Sequence, residues 1–177
     1  MGIEQTPEYI QSMKMRPACN RVLVETFGIP EASIERFPHG DKLFILDQEF
    51  AIDVRLKLPN GTTITGQEKA LSYKFHSFRT FTVEFYQNRH TRERGELFKI
   101  ASQFYLHGYS DATGIEFIEW KIIDVVKMIL WLTSFSRDDV LRRLLPAGGS
   151  RASFLPIKYD DFPADCILFD GPKRVAA

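Results

Sequence analysis

The stretch AIDVRLKLPNGTTITGQEKAL, residues 51–71, decides the fold because its pattern predicts a β-hairpin around a Pro-Asn-Gly turn. Two registers of this hairpin are open. A loop of two residues would pair Asp53 with Glu68, whereas a loop of three residues would pair Asp53 with Gln67. The choice matters because a slip of one residue turns every side chain of a strand to the opposite face.

Turn chemistry and side-chain alternation both favour the three-residue loop. Pro59 fits the second position of a type I turn, and Gly61 fits the left-handed bulge position that follows. In this register the polar side chains of both strands share one face of the ribbon. That face is formed by Asp53, Arg55, Lys57, Thr63, Thr65, Gln67 and Lys69. We therefore expect Asp53, Gln67 and Lys69 to lie side by side.

A carboxylate on one strand and a Gln-x-Lys on the next resemble the motif of the PD-(D/E)xK nuclease superfamily, in the variant with glutamine in place of the second acid. The resemblance covers about residues 40–125. It implies a restriction-endonuclease-like α/β fold, in which helices flank a mixed central β-sheet. Asp53 matches the metal-binding Asp of the motif, Gln67 its second acid and Lys69 its lysine. The chain departs from the motif at Ile52, where the family has proline, and at Gln67, which contributes no charge.

The resemblance implies a metal-dependent phosphodiesterase or nuclease, an endonuclease or an exonuclease, with DNA favoured over RNA as its substrate. A bound Mg²⁺ or Mn²⁺ would relieve charge at the phosphorus and acidify the attacking water. Asp53, Gln67 and the backbone carbonyl of Glu68 would hold this ion. Lys69 would assist the attacking water or stabilise the developing charge.

Further acids are candidates for the same site. The resemblance favours Glu25 on the N-terminal helix as a catalytic group. The polar face of a later strand favours Glu84 as a metal ligand, and Asp47 precedes the hairpin. Each of these three residues also has a structural interpretation, as an ordinary solvated charge.

Contacts with nucleic acid are expected from Gln103 and from four arginines, Arg89, Arg92, Arg142 and Arg143. Acidic residues interrupt the first arginine cluster, which also fits a solvated loop. A net charge of zero argues against strong non-specific nucleic-acid binding and leaves room only for a local basic rim.

The remaining composition predicts one globular domain of 177 residues, of which 44% are hydrophobic. We expect a core at about 40–125, an N-terminal helix at 6–27 and a C-terminal extension at 133–177. Two distant cysteines, Cys19 and Cys166, suggest reduced thiols. The chain has no secretory-signal pattern and no apolar run long enough to span a bilayer, so a cytoplasmic protein is expected.

The periodicity of the sequence predicts the other elements. Helices are expected at 6–27 with a break at Pro17, at 96–109, from about 126 to 132, and at 137–145. Strands are expected at 42–46, 80–86, 115–125 and 154–159. The segments 31–40, 87–95 and 146–150 are expected to be loops.

Two other functions stay open. The glutamine at position 67 and the zero net charge also fit a catalytically inactive member of the same fold, which would bind nucleic acid or a partner protein in a phage or mobile element. Alternatively, some of the 15 phenylalanines would form an exposed patch on a structural interaction protein. A nuclease of this size would also be expected to act as a homodimer or with a protein partner.

Overall fold

The computed structural model describes residues 7–37, 42–146 and 151–171, and these form three layers. One long helix covers one face of a six-stranded mixed sheet, and a four-stranded antiparallel sheet packs on the other face. The helices are α1 (Pro7–Phe27), α2 (Ile45–Phe50), α3 (Val125–Leu132) and α4 (Arg137–Arg143). The strands are β1 (Ile34–Arg36), β2 (Val54–Lys57), β3 (Thr63–Leu71), β4 (Thr80–Asn88), β5 (Glu93–Arg94), β6 (Phe104–Ser110), β7 (Phe117–Asp124), β8 (Leu145–Pro146), β9 (Ser153–Lys158) and β10 (Ile167–Asp170).

The two sheets have different strand orders. The large sheet runs β1-β2-β3-β6-β7-β10, and the small sheet runs β5-β4-β9-β8. The expected α/β class with a mixed sheet is confirmed, but helix α1 flanks one face of the large sheet and a second sheet flanks the other. The C-terminal extension is part of both sheets, since it supplies β9 to the small one and β10 to the large one.

The hairpin has the register of the three-residue loop. Leu58 N donates to Thr62 O at 2.8 Å, and Gly61 N donates to Leu58 O at 2.9 Å. Gly61 has a φ of +83°, the left-handed conformation that the bulge position requires. Val54 pairs with Gly66. The predicted register is therefore confirmed for Val54–Lys57, and just before this pairing Asp53 N donates to Gly66 O.

The predicted helix at 96–109 is wrong. Only Glu96–Phe98 forms a single 3-10 turn, and Phe104–Ser110 is strand β6, which runs parallel to β3. Every residue of β6 is buried, because the strand lies in the middle of the sheet with packed layers on both faces. A strand that is buried on both faces lacks the alternation of polar and apolar residues that identifies a strand. The apolar residues at 97, 100, 101 and 104 also have the spacing of a helix, which favoured the wrong prediction.

The predicted strand at 42–46 is also wrong. Lys42–Phe44 forms a 3-10 turn that leads into α2. Helix α1 continues through Pro17, which is exposed, so the predicted split of the helix at this residue does not occur. Solvent can satisfy the carbonyl that a proline leaves without its helical partner.

Four short edge strands were not predicted: β1 and β10 of the large sheet, and β5 and β8 of the small sheet. The strands expected at 80–86, 115–125 and 154–159 are confirmed as β4, β7 and β9, and both later helices are confirmed. Parts of the expected loops, at 38–41 and 147–150, lie outside the described residues, as does the first residue of the predicted helix at 6–27.

The core has two compartments, one on each face of the large sheet. The compartment under α1 contains Met15, Ala18, Cys19, Val22, Leu23, Val54, Leu56, Phe104, Leu106 and Ile122. The compartment between the sheets contains Phe81, Val83, Phe85, Tyr105, Tyr109, Ile123, Met128, Leu155 and Ile157. Cys19 and Cys166 are both buried free thiols, as expected. No helix in the described ranges is long and apolar enough to cross a bilayer.

Glu119 anchors the 3-10 segment Tyr73–Phe78 to the large sheet. Its carboxylate is only 2% exposed, and it accepts from Arg79 Nη2 at 2.9 Å and lies 3.0 Å from His76 Nε2. Burial would raise the pKa of Glu119, but the hydrogen bonds from Arg79 and His76 outweigh it and lower the pKa. The ion pair therefore fixes a segment that connects β3 to β4.

We expect Gly66→Ala to destabilise the fold. A Cβ at Gly66 would lie 2.1 Å from the Phe104 ring, which packs directly over this glycine on the neighbouring strand. Overpacking of this kind costs about 1–3 kcal/mol, so the melting temperature should fall by several degrees. Thr63→Ala, an exposed change in the same strand, is the control. An unchanged melting temperature for Gly66→Ala would show that β6 does not pack on β3 in this way.

Candidate functional site

Asp53 is positioned by the end of α2. Ala51 has a φ of +48°, and its N–H donates to Asp47 O at 3.1 Å while Ile52 N donates to Leu46 O at 3.0 Å. These two bonds close the helix as in a Schellman motif and turn the chain sharply. The turn brings the carboxyl group of Asp53 back into hydrogen-bond contact with that of Asp47.

Asp53 also forms two hydrogen bonds with backbone groups at the edge of β3. Its N–H donates to Gly66 O at 2.9 Å, and its Oδ2 accepts from Glu68 N at 2.9 Å. Strand β2 begins only at Val54, so the side chain of Asp53 takes the place of a backbone partner for β3. The carboxyl group is thereby fixed beside the Gln-x-Lys segment.

The carboxyl groups of Asp53 and Asp47 affect each other's pKa. Burial raises the pKa of Asp53 well above its ordinary value, and the charge of Asp47 raises it further. Burial also raises the pKa of Asp47, although the hydrogen bond from Asp53 opposes this. Both effects disfavour two ionised carboxylates side by side, and a bound cation would relieve this repulsion.

Gln67 carries a buried oxygen without a partner. Its Oε1 makes no hydrogen bond to any described residue, although it is shielded from solvent. Gln67 follows Gly66, whose carbonyl accepts from Asp53 N, and it lies beside Tyr105 in the parallel pair of β3 and β6. A buried acceptor without a donor is unfavourable, so this oxygen requires an explanation in terms of a ligand or an ordered water.

Lys69 is next on the same strand face. Its ammonium donates to Thr82 O at 3.0 Å and lies 4.8 Å above the ring of Phe154. Both contacts hold the charge at the margin between the two sheets. Lys69 is half-buried, which strengthens its field at nearby positions.

The side chain of Glu68 points to the opposite face. Its Oε1 pairs with Arg36 Nη2 at 2.7 Å, and both side chains are largely buried. This ion pair occupies the Glu68 carboxylate, and the metal role predicted for the Glu68 backbone carbonyl stays a prediction. That carbonyl shares the strand edge with the Glu68 N–H, which contacts Asp53, because both groups of one residue point to the same side of a strand.

Two more acids lie near the lysine. Burial raises the pKa of Glu84, and the charge of Glu96 raises it further, while Lys69 and Lys99 lower it. Glu96 accepts a hydrogen bond of 2.8 Å from the hydroxyl of Tyr105. The site is therefore rich in carboxyl groups that raise one another's pKa, an arrangement that favours a bound cation.

Carboxylates alone do not complete a metal site. Within 7–37, 42–146 and 151–171, no group of three or more His, Cys, Asp or Glu side chains could hold a metal ion. Amide and backbone carbonyl oxygens are the other donors that a hard cation accepts. The Oε1 of Gln67 and the carbonyl of Glu68 are such donors, next to Asp53.

His107 belongs to the buried core. Its Nδ1 lies 2.6 Å from the hydroxyl of Tyr159, and Thr82 N donates to its Nε2 at 3.4 Å. Burial lowers the pKa of His107 well below its ordinary value, and the neighbouring charge of Lys69 acts in the same direction. A lowered pKa favours the neutral ring, whose partners are Tyr159 and the backbone N–H of Thr82.

Several predicted residues lie away from this site. Glu25 is exposed on α1 and borders a separate cavity of about 270 Å³ with Asn20 and Glu31. Gln103 has a structural role instead of a substrate contact, because its Oε1 accepts from Thr65 N at 2.9 Å. It caps the edge of β3 at the end opposite Lys69.

The four predicted arginines do not form one cluster. Arg89 and Arg92 are exposed in the turn between β4 and β5. Arg142 forms an ion pair with Asp139 on its own helix, and Arg143 lies over the ring of Phe135. The two helix arginines therefore have partners within the protein.

Glu96 and Tyr105 were missed because the sequence analysis placed both in a helix. In the strand β6, Tyr105 lies beside Gln67, and its hydroxyl draws Glu96 to the same region. The compact run FYLHGYS, with three aromatic rings in seven residues, was the available signal for a strand.

Comparisons with protein-family models, with curated proteins and with solved structures found no match to this chain. The interpretation of the site therefore depends on its own geometry.

We expect Asp53→Asn to stabilise the protein at neutral and alkaline pH. An unfolded Asp53 ionises near pH 4, whereas the folded one keeps its proton to a higher pH, so stability falls as pH rises through that window. Asparagine has no proton to lose, can still donate to Asp47 and can accept from Glu68 N. The melting temperature of Asp53→Asn minus that of the parent should therefore increase from acidic to alkaline pH.

The control for this measurement is Asp161→Asn, at an exposed position of the small-sheet side. Its melting temperature should follow that of the parent across the pH range. A constant difference between Asp53→Asn and the parent at every pH would contradict the raised pKa.

Proposed function

We propose that this protein is a metal-dependent phosphodiesterase that cleaves nucleic acid. Its proposed active site contains Asp53, Gln67 and Lys69. One observation carries the proposal, the buried and unpartnered Oε1 of Gln67 on the strand next to the proton-sharing Asp53. A buried carbonyl oxygen that accepts no hydrogen bond is suited to coordinate a hard cation. DNA is the expected substrate, with RNA as the alternative.

The donors present suit Mg²⁺ or Mn²⁺. Asp53 would supply a carboxylate, Gln67 an amide oxygen and Glu68 its backbone carbonyl, all of which are hard ligands. When bound, the ion would neutralise charge on a phosphodiester and acidify an attacking water.

Lys69 would act on the substrate side of the site. Its ammonium is fixed by Thr82 O and by the ring of Phe154, so its position needs no ordering when a phosphate arrives. A fixed positive charge in a half-buried site stabilises the charge that develops on phosphate oxygens. Glu84, which lies near the ammonium, would tune the field of Lys69.

The wider fold is part of the proposal. An antiparallel hairpin that carries the acids, followed by a crossover to a parallel strand, supports a relation to the restriction-endonuclease-like fold. The crossover in this chain contains strand β4 and 3-10 turns where the resemblance implies a helix. The proposed protein would thus be a divergent form of that fold.

A second candidate function is binding without cleavage. It is favoured by the amide at position 67, which adds no charge, so that Asp53 is the only charged group among the proposed ligands. In that case the site would hold a cation that binds a phosphate, without the charge needed to activate a water. The cleavage experiment below separates the two functions.

We expect purified protein to cleave single- or double-stranded DNA when Mn²⁺ or Mg²⁺ is present, and Lys69→Ala to lose this activity. Loss of a preorganised charge in the site should lower the rate by on the order of 10²-fold or more. The measurement is release of labelled fragments on a denaturing gel, with EDTA as the metal-free reference. Lys57→Ala, an exposed lysine on the same face of the hairpin, is the matched control and should keep full activity.

The other outcomes have distinct meanings. Equal cleavage by the parent and by Lys69→Ala would refute the assignment and indicate another active site or a contaminant. DNA binding without cleavage by the parent would support the binding function instead.

A further inference from the structure

A cavity of about 410 Å³ adjoins the proposed metal site along β3. Its lining consists of Gln11, Ser12, Glu68, Lys69, Ala70, Leu71, Ser72 and Phe75. The cavity begins one residue after Gln67, on the side where β2 has ended and no described strand pairs with β3. Glu68 connects the cavity to that site, because it lines the cavity and its N–H donates to Asp53 Oδ2.

The lining combines an aromatic ring, an apolar wall and an unpaired donor. Phe75 is 52% exposed at the rim, and Ala70 and Leu71 supply apolar surface. The Nε2 of Gln11 is buried and makes no hydrogen bond to any described residue. The amide lies against Gly114, and rotation of the Gln11 side chain into the cavity would bring this donor to a ligand carbonyl or ring nitrogen.

The aromatic rim is held in place. Phe75 belongs to the segment Tyr73–Phe78, which Glu119 fixes through His76 and Arg79. The ring of His76 also packs edge-on against Tyr109 at 5.4 Å between centroids. A ring on an anchored segment loses little freedom on binding, which favours stacking.

A planar, partly apolar ligand with acceptor atoms on its edge fits these walls, and nucleobases have this chemistry. The faces of a base in a duplex are covered by neighbouring pairs, so Phe75 can stack only on an unpaired base. Resting on the proposed function above, we propose that the cavity binds an unpaired nucleobase, stacked on Phe75 and hydrogen-bonded by Gln11. The substrate is accordingly a single strand or an unpaired end.

The charge of the protein agrees with this mode of binding. The net charge is zero, so the protein has no general attraction for phosphates, and phosphate contacts are limited to local cations such as Lys69. Stacking on an aromatic side chain contributes about 1–3 kcal/mol per base. Stacking is therefore expected to supply a large share of the affinity.

The test is fluorescence anisotropy with a short labelled oligo-dT strand in EDTA, where cleavage cannot occur. Phe75→Ala should weaken binding about 10-fold or more, which corresponds to the loss of one stacked base. Phe75→Tyr should retain affinity because it keeps the ring. Gln11→Met, which keeps the length of the side chain and removes the donor, should also weaken binding.

The matched control is Phe169→Ala. Phe169 is 43% exposed on β10, at an edge of the large sheet separated from β3 by two strands. This variant should bind as the parent does. A strand of the same length that carries abasic sites should bind poorly to the parent, since it has no base to stack.

Three results would overturn the inference: equal affinity of Phe75→Ala and the parent, equal affinity for abasic and intact strands, or tighter binding of the duplex. Its failure is distinct from that of the proposed function. Base-dependent binding in EDTA without cleavage in Mn²⁺ would keep the base cavity and reject the enzyme. Cleavage that Phe75→Ala leaves unchanged would keep the enzyme and reject the cavity.

Discussion

The hydrogen bond from Glu68 N to Asp53 Oδ2 joins the two strands of the hairpin where their backbone pairing ends. It satisfies a backbone donor at the edge of β3, and it fixes a carboxyl group next to Gln67 and Lys69. The bond depends on the three-residue loop, because a slip of one residue would place Asp53 opposite Glu68 instead. The geometry of the site is therefore a consequence of the turn at Pro59–Gly61.

This arrangement has a cost in stability. Asp53 and Asp47 share a proton in a region where burial raises the pKa of both, and the Oε1 of Gln67 has no donor. Unfavourable features that cluster at one place are typical of functional sites, where a ligand relieves them. The rest of the fold supports them with two well-packed compartments, one under α1 and one between the sheets.

The hairpin could be predicted from the sequence because its signals are local. Turn chemistry and alternation of polar and apolar residues agreed on one register, and Asp53, Gln67 and Lys69 followed from it. Strand β6 could not be predicted in the same way, since burial on both faces removes the alternation that distinguishes a strand from a helix. Tyr105 lies on that strand and Glu96 contacts its hydroxyl, so neither residue was predicted to belong to the site. The place of β4 in a second sheet also could not be predicted, because its partner β9 lies far along the chain.

The most direct test of the account is isothermal titration calorimetry of Mn²⁺ into the parent protein, Asp53→Asn and Gln67→Glu. The parent should bind the ion, and Asp53→Asn should not, because the principal carboxylate ligand is lost. Gln67→Glu should bind more tightly than the parent, since it adds a negative charge at the unpartnered oxygen. Equal affinity of all three proteins, or no binding by the parent and by Gln67→Glu, would contradict the assignment of this site to a metal.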